Sequence, residues 1–302
     1  MDKSMIRDAL TLELARQYMD FVPEMRFCEV VFNGIYYGVY SLSEQITADR
    51  LKLEKPGNEG DSLTGGYIIQ IDAHEKTESF QSIYRKTNFH YEYPDSDKLT
   101  DNQLEYIHRH INKIEKSIFE DKDSIWEQYI DLNSMIDYQL VSEFSHNADA
   151  YTFSTFMYKD CDSKDGQLKF SLWDFDLGYG NYSAPGCSST DTWVYENKDS
   201  WWNVMSGNKV YTQRLKQRWS QYRQNEYTDE HIEHVVDSLI NLLTACGAEK
   251  RNAKAWDIWE ATWKAGVKPQ KYISSSYDEE IVYLKDWIVK RLKWMDEKLR
   301  VQ

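Results

Sequence analysis

Long apolar runs, cysteine pairs and an excess of positive charge are all missing from this sequence. No apolar stretch reaches the roughly 18 residues of a membrane-spanning helix, and the N-terminus lacks the basic and apolar regions of a signal peptide. The cysteines lie far apart, with no CxxC or other metal-ligand spacing: Cys28, Cys161, Cys187 and Cys246. The sequence therefore predicts a soluble chain with no transmembrane segment, no zinc motif and no disulfide framework.

Charge and motif content narrow the classes of function. The 302 residues include 36 Lys and Arg against 50 Asp and Glu, which gives a formal net charge of −14. Such a field repels polyphosphate backbones and anionic lipid surfaces, so nucleic acid is not an expected partner, whereas a basic protein would be attracted. The chain also contains no GxxxxGKS/T phosphate loop and no Ser-His-Asp or Cys-His sequence context.

The hydrophobic pattern changes along the chain. Residues 1–99 predict one helix from Ser4 to Tyr18 and then short strands, including a hairpin turning at Asn33-Gly34. From Thr100 apolar residues recur every three or four positions, which predicts amphipathic helices on either side of an irregular, strand-like stretch over 147–210. The prediction is an α+β fold with a small β-rich N-terminal region over 1–99 and a larger helical region over 100–302.

Individual elements follow from the same patterns. The predicted strands are Arg26–Phe32, Ile35–Leu42, Tyr67–Asp72 and Phe89–Tyr93. The predicted later helices contain the apolar residues Leu104 to Ile118, Ile136 to Phe144, Ile232 to Leu243 and Ile281 to Leu299.

Two segments carry carboxylates in settings suited to chemistry. Asp149 lies on a predicted loop between a helix and a strand, where the scaffold holds a side chain yet leaves it open to a ligand. Asp174 and Asp176 follow an apolar strand and precede two glycines. Each segment alone is also compatible with a helix cap or a tight turn. Together the acids offer the oxygen ligands that Mg²⁺ takes beside substrate phosphates.

The order of these residues matches that of protein kinases. There a catalytic-loop Asp accepts the substrate hydroxyl proton, a side chain five positions later helps to hold a metal ion, and the Asp of the DFG motif binds Mg²⁺. Asp149, Ser154 and Asp174 follow in that order, with Ser154 five positions after Asp149. Two departures stand out: a hydroxyl is a weaker metal ligand than an amide oxygen, and no His-Arg-Asp is present.

The sequence resembles the spore coat protein H (CotH) kinases, which are highly divergent protein kinases that phosphorylate proteins on Ser. The resemblance covers nearly the whole chain and is carried by Phe32–Tyr40 with Ser43-Glu44-Gln45, Asn147-x-Asp149, Trp173-Asp174-Phe175-Asp176 with Gly180, and Leu284-x-x-Trp287-x-x-x-Arg291-x-x-Trp294. It implies a protein-kinase-like fold, ATP with Mg²⁺ or Mn²⁺ as cofactors, and a protein Ser or Thr acceptor. It also implies a surface or secreted location, with any signal peptide upstream of Met1.

The resemblance also implies roles for the acids and their neighbour. Asp149 would be the catalytic-loop acid, and Asp174 would bind the metal ion. Asp176 would be a second ligand or an orienting group, and Ser154 would assist in holding the ion.

Further roles are implied for the N-terminal region. The segment from Leu42 to Gln45 would line the adenine pocket, with Glu44 contributing partly through backbone groups. Glu13 would lie on the helix equivalent to the kinase αC, facing a lysine that this sequence does not supply. Because kinases carry that lysine and the phosphate-covering loop on strands before αC, we expect either a truncated N-terminal lobe or a reduced relative that binds nucleotide poorly.

Other readings of the sequence lead to other functions. One is a catalytically silent, kinase-like surface module that holds a protein or glycan partner in its cleft or on the aromatic segment Trp193, Tyr195, Trp201 and Trp202. Bulky residues in such a segment more commonly pack a long loop against the helices. A third reading is a metal-dependent hydrolase that uses the same acids.

Overall fold

The computed structural model describes residues 2–72, 79–120, 125–182, 184, 186–256, 258–259 and 274–300. Its helices are α1 (Arg7–Ala15), α2 (Asp101–Phe119), α3 (Leu132–Ser145), α4 (Trp201–Met205), α5 (Lys209–Gln224), α6 (Asp229–Thr244), α7 (Ala248–Trp256) and α8 (Tyr277–Leu299). Its strands are β1 (Met25–Phe32), β2 (Ile35–Ser43), β3 (Tyr67–Ile71), β4 (Ser79–Gln81), β5 (Asn88–Tyr93), β6 (Thr155–Lys159) and β7 (Lys169–Ser171). This confirms the α+β prediction: a small β-rich N-terminal part and a helical C-terminal region, compatible with a kinase-like fold.

Helix α1 is shorter than the sequence predicted. The carboxylate of Asp2 accepts the N–H groups of Ser4 and Arg7, both at 2.9 Å. These contacts satisfy a free donor of the first helical turn, so regular helix begins at Arg7 and not after Ser4. The predicted end at Tyr18 was also too late, because the helix closes at Ala15.

The hairpin of β1 and β2 confirms the Asn33-Gly34 prediction. Asn33 and Gly34 have φ of 51° and 77°, the left-handed values that a two-residue turn between twisted strands requires. A helix from the far end of the chain packs on this hairpin, since Asn252 of α7 accepts the Val39 N–H at 2.9 Å and Trp256 donates to the Tyr37 carbonyl at 2.8 Å.

The second sheet has the strand order β4-β5-β3-β6-β7, with every pair antiparallel. Strand β3 is central and pairs with β6 from Tyr67 opposite Lys159 to Ile71 opposite Thr155. The predicted division at residue 99 therefore crosses one sheet, because β3 precedes it in sequence and β6 follows it. The division into an N-terminal and a C-terminal region at residue 99 stays a prediction. The pairing of β3 with β6 joins the two regions in one sheet.

The helical region is built around a buried apolar core. Thr100 caps α2 in a reciprocal arrangement with Gln103, and the Asp131 side chain caps α3, so both helices begin close to where the sequence predicted. The core includes Leu10 of α1, Phe144 of α3 and Met295 of α8. In the described part of the chain no helix is both long and apolar enough to cross a lipid bilayer.

Three helices were not predicted: α4, α5 and α7. Helix α5 is rich in polar residues, but it buries Tyr211, Leu215, Trp219 and Tyr222. Their spacing of four, four and three positions is helical. Most of the residues between them are polar, so the segment shows no clear apolar period in the sequence.

The aromatic segment packs inward. Trp201 and Trp202 are only 2% and 0% exposed. Their ring N–H groups donate to Glu115 at 3.0 Å and to the Met135 carbonyl at 3.2 Å. These two tryptophans are therefore core residues and do not form a platform for a sugar or peptide.

Candidate active site

The loop that follows α3 carries the first predicted acid. His146 ends α3 in the left-handed conformation, with φ of 50°, and turns the chain into residues 147–154. Asp149 lies in this loop, and Ser154, with φ of 49°, stands directly before β6. Of the nine non-glycine residues with positive φ in the described part of the chain, five fall within 146–179. Such strained backbone concentrates at functional sites.

The second predicted acid follows the β6–β7 hairpin. Strand β7 ends at Ser171, and Asp174 adopts a φ of 61°. Phe175 is 1% exposed and belongs to the core. A buried Phe175 fixes the motif, so that the neighbouring Asp174 faces the cleft described next.

Asp149, Ser154 and Asp174 line one open cleft of about 760 Å³, which we call the acidic cleft. Its other lining residues come from the segment after β2, from β3 and β5, and from the β6–β7 hairpin and its flanks: Gln45, Ile46, Thr47, Gln70, Asp72, Glu92, Phe153, Phe156, Trp173 and Tyr182. The structure thus brings together three of the predicted site residues from two segments that are distant in sequence.

Burial and mutual repulsion perturb the carboxyl groups around the cleft. Burial raises the pKa of Asp174, and the nearby Asp149 carboxylate raises it further. Asp176 does not line the cleft, but its carboxyl is hydrogen-bonded to that of Asp174, and burial together with Asp174 raises the pKa of Asp176 to about 6. Several carboxyl groups are therefore concentrated where a cation would be stabilised.

A third carboxyl reaches this motif from α1. Asp8 accepts the N–H of Phe175. Burial raises the pKa of Asp8 to about 7, and the charges of Asp174 and Asp176 add to the shift, while the hydrogen bond from Phe175 opposes it.

The available donor groups limit how a metal ion could be held. Among the described residues, no group of three or more His, Cys, Asp or Glu side chains is arranged to hold a metal ion. Mg²⁺ needs only one or two protein carboxylates when substrate phosphates and water complete its shell. Asp174 fits that role, with Asp176 hydrogen-bonded behind it and Ser154 at the cleft wall.

Besides Asp176, three predicted site residues lie outside the cleft: Glu13, Leu42 and Glu44. Glu13 is 54% exposed and pairs with Arg16 at 3.4 Å. At 100° per residue Glu13 lies about 140° around α1 from Asp8, so it faces a separate groove between α1, β1 and α6. Asp8, and not Glu13, is the residue of α1 that contacts the motif.

The segment predicted to line an adenine pocket is displaced by a few residues. Leu42 is 66% exposed, and Glu44 pairs with Arg50 and accepts the Glu24 N–H at 3.1 Å. Strand β2 continues to Ser43, so the chain reaches the cleft only at Gln45, Ile46 and Thr47.

A family comparison covers almost all of these features. The model of the CotH kinase protein family matches residues 1–295. The chain belongs to the CotH kinase family. No curated protein matches the chain. The family match includes the loop of Asp149, the Asp174 motif and nearly all of α8, so the chain is a kinase-like protein over the whole site.

Helix α8 of this CotH family member holds the segment that follows the Asp174 motif. Trp287 donates to the Ser188 carbonyl at 3.0 Å, Arg291 donates to the Thr192 carbonyl at 2.7 Å, and the rings of Trp294 and Trp193 lie 4.4 Å apart. Trp287, Arg291 and Trp294 of the closing helix therefore all contact residues 188–193 and hold them beside the site.

A buried ion pair completes this anchor. Arg291 and Glu143 are 0% and 2% exposed, and their side chains meet at 3.3 Å. Glu143 also accepts N–H groups from Val194 at 2.8 Å and Tyr195 at 3.0 Å, and the Tyr151 hydroxyl at 2.9 Å. Helices α3 and α8 are thereby joined to both loops that flank the cleft.

Sequence reasoning missed several residues at the site of this CotH family member. Asp72 and Glu92 reach the cleft only because β3 and β5 join the sheet of β6, a pairing that no local signal gives. Lys198 donates to the Ala148 carbonyl at 2.8 Å and to Thr152 at 3.0 Å. Burial lowers the pKa of Lys198, and the attraction of Asp149 opposes the shift, so this cation lies close to Asp149.

Proposed function

We propose that this chain is an ATP-dependent protein kinase that transfers the γ-phosphoryl group to Ser or Thr hydroxyls of a protein, using Mg²⁺ or Mn²⁺. The observation that supports this most directly is that Asp149 and Asp174 line one cleft, although a whole hairpin separates them in sequence. One acid can then serve the acceptor hydroxyl while the other serves the metal ion.

The charge of the cleft supports a metal-dependent ligand. Four acidic residues line it, Asp72, Glu92, Asp149 and Asp174, and none of the described lining residues is Lys or Arg. A bare triphosphate would be repelled by these carboxylates. A divalent ion held by Asp174 would neutralise part of this negative charge, so nucleotide and metal should bind together.

The apolar part of the cleft suits a purine base. Ile46, Phe156 and Trp173 line it together, and the rings of Phe156 and Trp173 are 5.9 Å apart at 61°. Aromatic faces stack well on a heterocycle, and the backbone of residues 45–47 supplies polar groups at the rim. The base would therefore lie against these residues and the phosphates toward the carboxylates.

In this proposal the acidic residues have different roles in the reaction. Asp149 accepts the proton of the acceptor hydroxyl, whose oxygen bonds to the γ-phosphorus as the bond to the β,γ-bridging oxygen breaks and ADP leaves. Asp174, with Asp176 and Ser154, would hold the divalent ion. When bound, that ion neutralises charge on the phosphates.

The experiment compares wild type with Asp149→Asn and Asp174→Asn in transfer of labelled phosphate from ATP and Mg²⁺ to candidate basic proteins. Loss of a positioned acid should reduce transfer about 100-fold or more. Asp199→Asn is the matched control, because Asp199 is 69% exposed and lies outside the cleft. Equal transfer by all four proteins would disprove the assignment.

Thermal stability with and without ATP and Mg²⁺ separates the alternatives. Asp149→Asn should keep the stabilisation by Mg²⁺ and ATP, whereas Asp174→Asn should lose it. Stabilisation of wild type without any transfer would favour a silent binding module. Phosphate release in the absence of an acceptor would favour a hydrolase.

A further inference from the structure

The peptide group between Asp174 and Phe175 is held at both of its polar ends. Asn147 donates its side-chain amide to the Asp174 carbonyl oxygen at 3.1 Å. Asp8 accepts the Phe175 N–H from the other side. Because the carbonyl and the N–H belong to one planar unit, the two contacts together fix its rotation.

This fixation matters because of the backbone of Asp174. Its φ of 61° is left-handed, a conformation that Asp tolerates better than most L-residues. Rotation of the Asp174–Phe175 peptide changes ψ of Asp174 and φ of Phe175, so it would turn the Asp174 carboxyl relative to the buried Phe175 ring. The two hydrogen bonds to the peptide oppose that rotation.

Each holding residue connects the peptide to a different part of the molecule. The Asn147 side-chain oxygen also accepts the Asp149 N–H at 3.2 Å. One side-chain amide therefore links the backbone of Asp149 to the backbone of Asp174. Asn147 is 3% exposed. Its amide can serve both loops at once because it offers a donor and an acceptor, which a carboxylate does not.

Asp8 connects the peptide to α1. Thr11, one turn along the same face, contacts the Tyr179 hydroxyl at 2.9 Å. The neighbouring Arg7 is 0% exposed and binds Glu280 of α8 at 2.8 Å. Helix α1 is therefore held in place, and one of its faces contacts both Phe175 of the motif and Tyr179 just after it.

We propose that Asp8 and Asn147 are positioning residues that clamp the Asp174–Phe175 peptide, so that the seating of α1 sets the direction of the metal-binding carboxylate. Neither residue needs to touch substrate. The inference rests on the proposed function for its effect on catalysis, but the clamp itself is a structural claim with its own readout.

That readout is hydrogen–deuterium exchange of the Phe175 amide. Asp8→Ala removes the acceptor, so exchange should accelerate at least tenfold relative to wild type. Asp8→Asn retains a side-chain oxygen and should stay within about twofold of wild type. Glu13→Ala, on the same helix but facing away, should match wild type and controls for general loosening of α1.

Asn147 is tested in the same way. Asn147→Asp keeps an acceptor for the Asp149 N–H but loses the donor to the Asp174 carbonyl, so the Phe175 amide should again exchange faster. Unchanged exchange in both Asp8→Ala and Asn147→Asp would overturn the clamp. If Asp8→Ala does not fold, as seen by circular dichroism, Asn147→Asp alone decides.

Kinetics then test the effect on the reaction. If wild type transfers phosphate, Asp8→Ala should raise the KM for the Mg²⁺ complex of ATP at least tenfold, and Asp8→Asn should restore most of it. Faster exchange of the Phe175 amide with an unchanged KM for the Mg²⁺ complex of ATP would overturn the link to metal binding. Absence of transfer by wild type would refute the proposed function, while the exchange data would still decide on the clamp.

Discussion

Replacement of Arg291 by Met should destabilise the protein strongly. The substitution keeps much of the apolar length of the side chain but leaves Glu143 buried without its cation, beside a Thr192 carbonyl that has lost a donor. Breaking one partner out of a buried ion pair costs about 3–5 kcal/mol. With an unfolding entropy of about 2.1 cal/mol/K per residue, a chain of 302 residues should lose roughly 5–8 °C in Tm.

The assay is differential scanning calorimetry with two further variants. Lys290→Ala removes the neighbouring exposed cation, which pairs only with Asp286 at the surface, and should shift Tm by about 1 °C or less. The double variant Glu143→Gln with Arg291→Met removes the buried charge and should recover part of the loss. A shift below about 2 °C for Arg291→Met, or no recovery in the double variant, would refute the reasoning.

The remaining predictions use the cleft, the core and the motif. With a divalent ion present, ATP at about 100 times its Kd should stabilise the folded protein by about 2.7 kcal/mol, which raises Tm by roughly 4 °C. A Tm shift that persists in a thermal scan with EDTA would contradict this prediction. Trp202→Ala should cost about 3–5 kcal/mol in urea unfolding, against little for the exposed Val289→Ala, because Trp202 is fully buried. Burial raises the pKa of Asp8 to about 7, so the folded state holds a proton that the unfolded chain releases, and the stability from this group is present at low pH and lost as the pH rises through about 7. In Asp8→Asn, the urea midpoint should therefore fall less steeply between pH 5 and pH 8 than in wild type. Equal slopes for the two proteins would contradict this prediction.

The elements with strong local signals were predictable. Asn33-Gly34 specifies its own turn, and Thr100 with Gln103 specifies the start of α2, because both signals are complete within a few residues. Helix α5 lacked such a signal, because its buried aromatic residues are spread among polar ones. The start of α1 depended on the Asp2 side chain, which no periodic pattern reveals.

The site was predictable where sequence order implies proximity. A short β6–β7 hairpin necessarily brings the Asp174 motif back toward the loop of Asp149. Asp72 could not be assigned, because its approach depends on a pairing between β3 and β6 that is distant in sequence. Asp8 was not singled out because helical phase alone does not show which face of α1 meets the motif, and Glu13, five positions further on, faces a different groove.

Helix α7 fastens the β1–β2 hairpin in a way that limits how the molecule can move. Gly38 has φ of 107°, and a Cβ there would lie 2.5 Å from Asn252 Oδ1 and 2.6 Å from Trp256 Nε1, so side chains of α7 lie directly against the backbone of β2. Arg251 adds a pair with Glu29 at 2.6 Å. A swinging motion of the hairpin away from the helical region would have to break all of these contacts. We therefore expect small-angle scattering curves recorded with and without ATP and Mg²⁺ to superimpose, because these contacts hold the hairpin against the helical region.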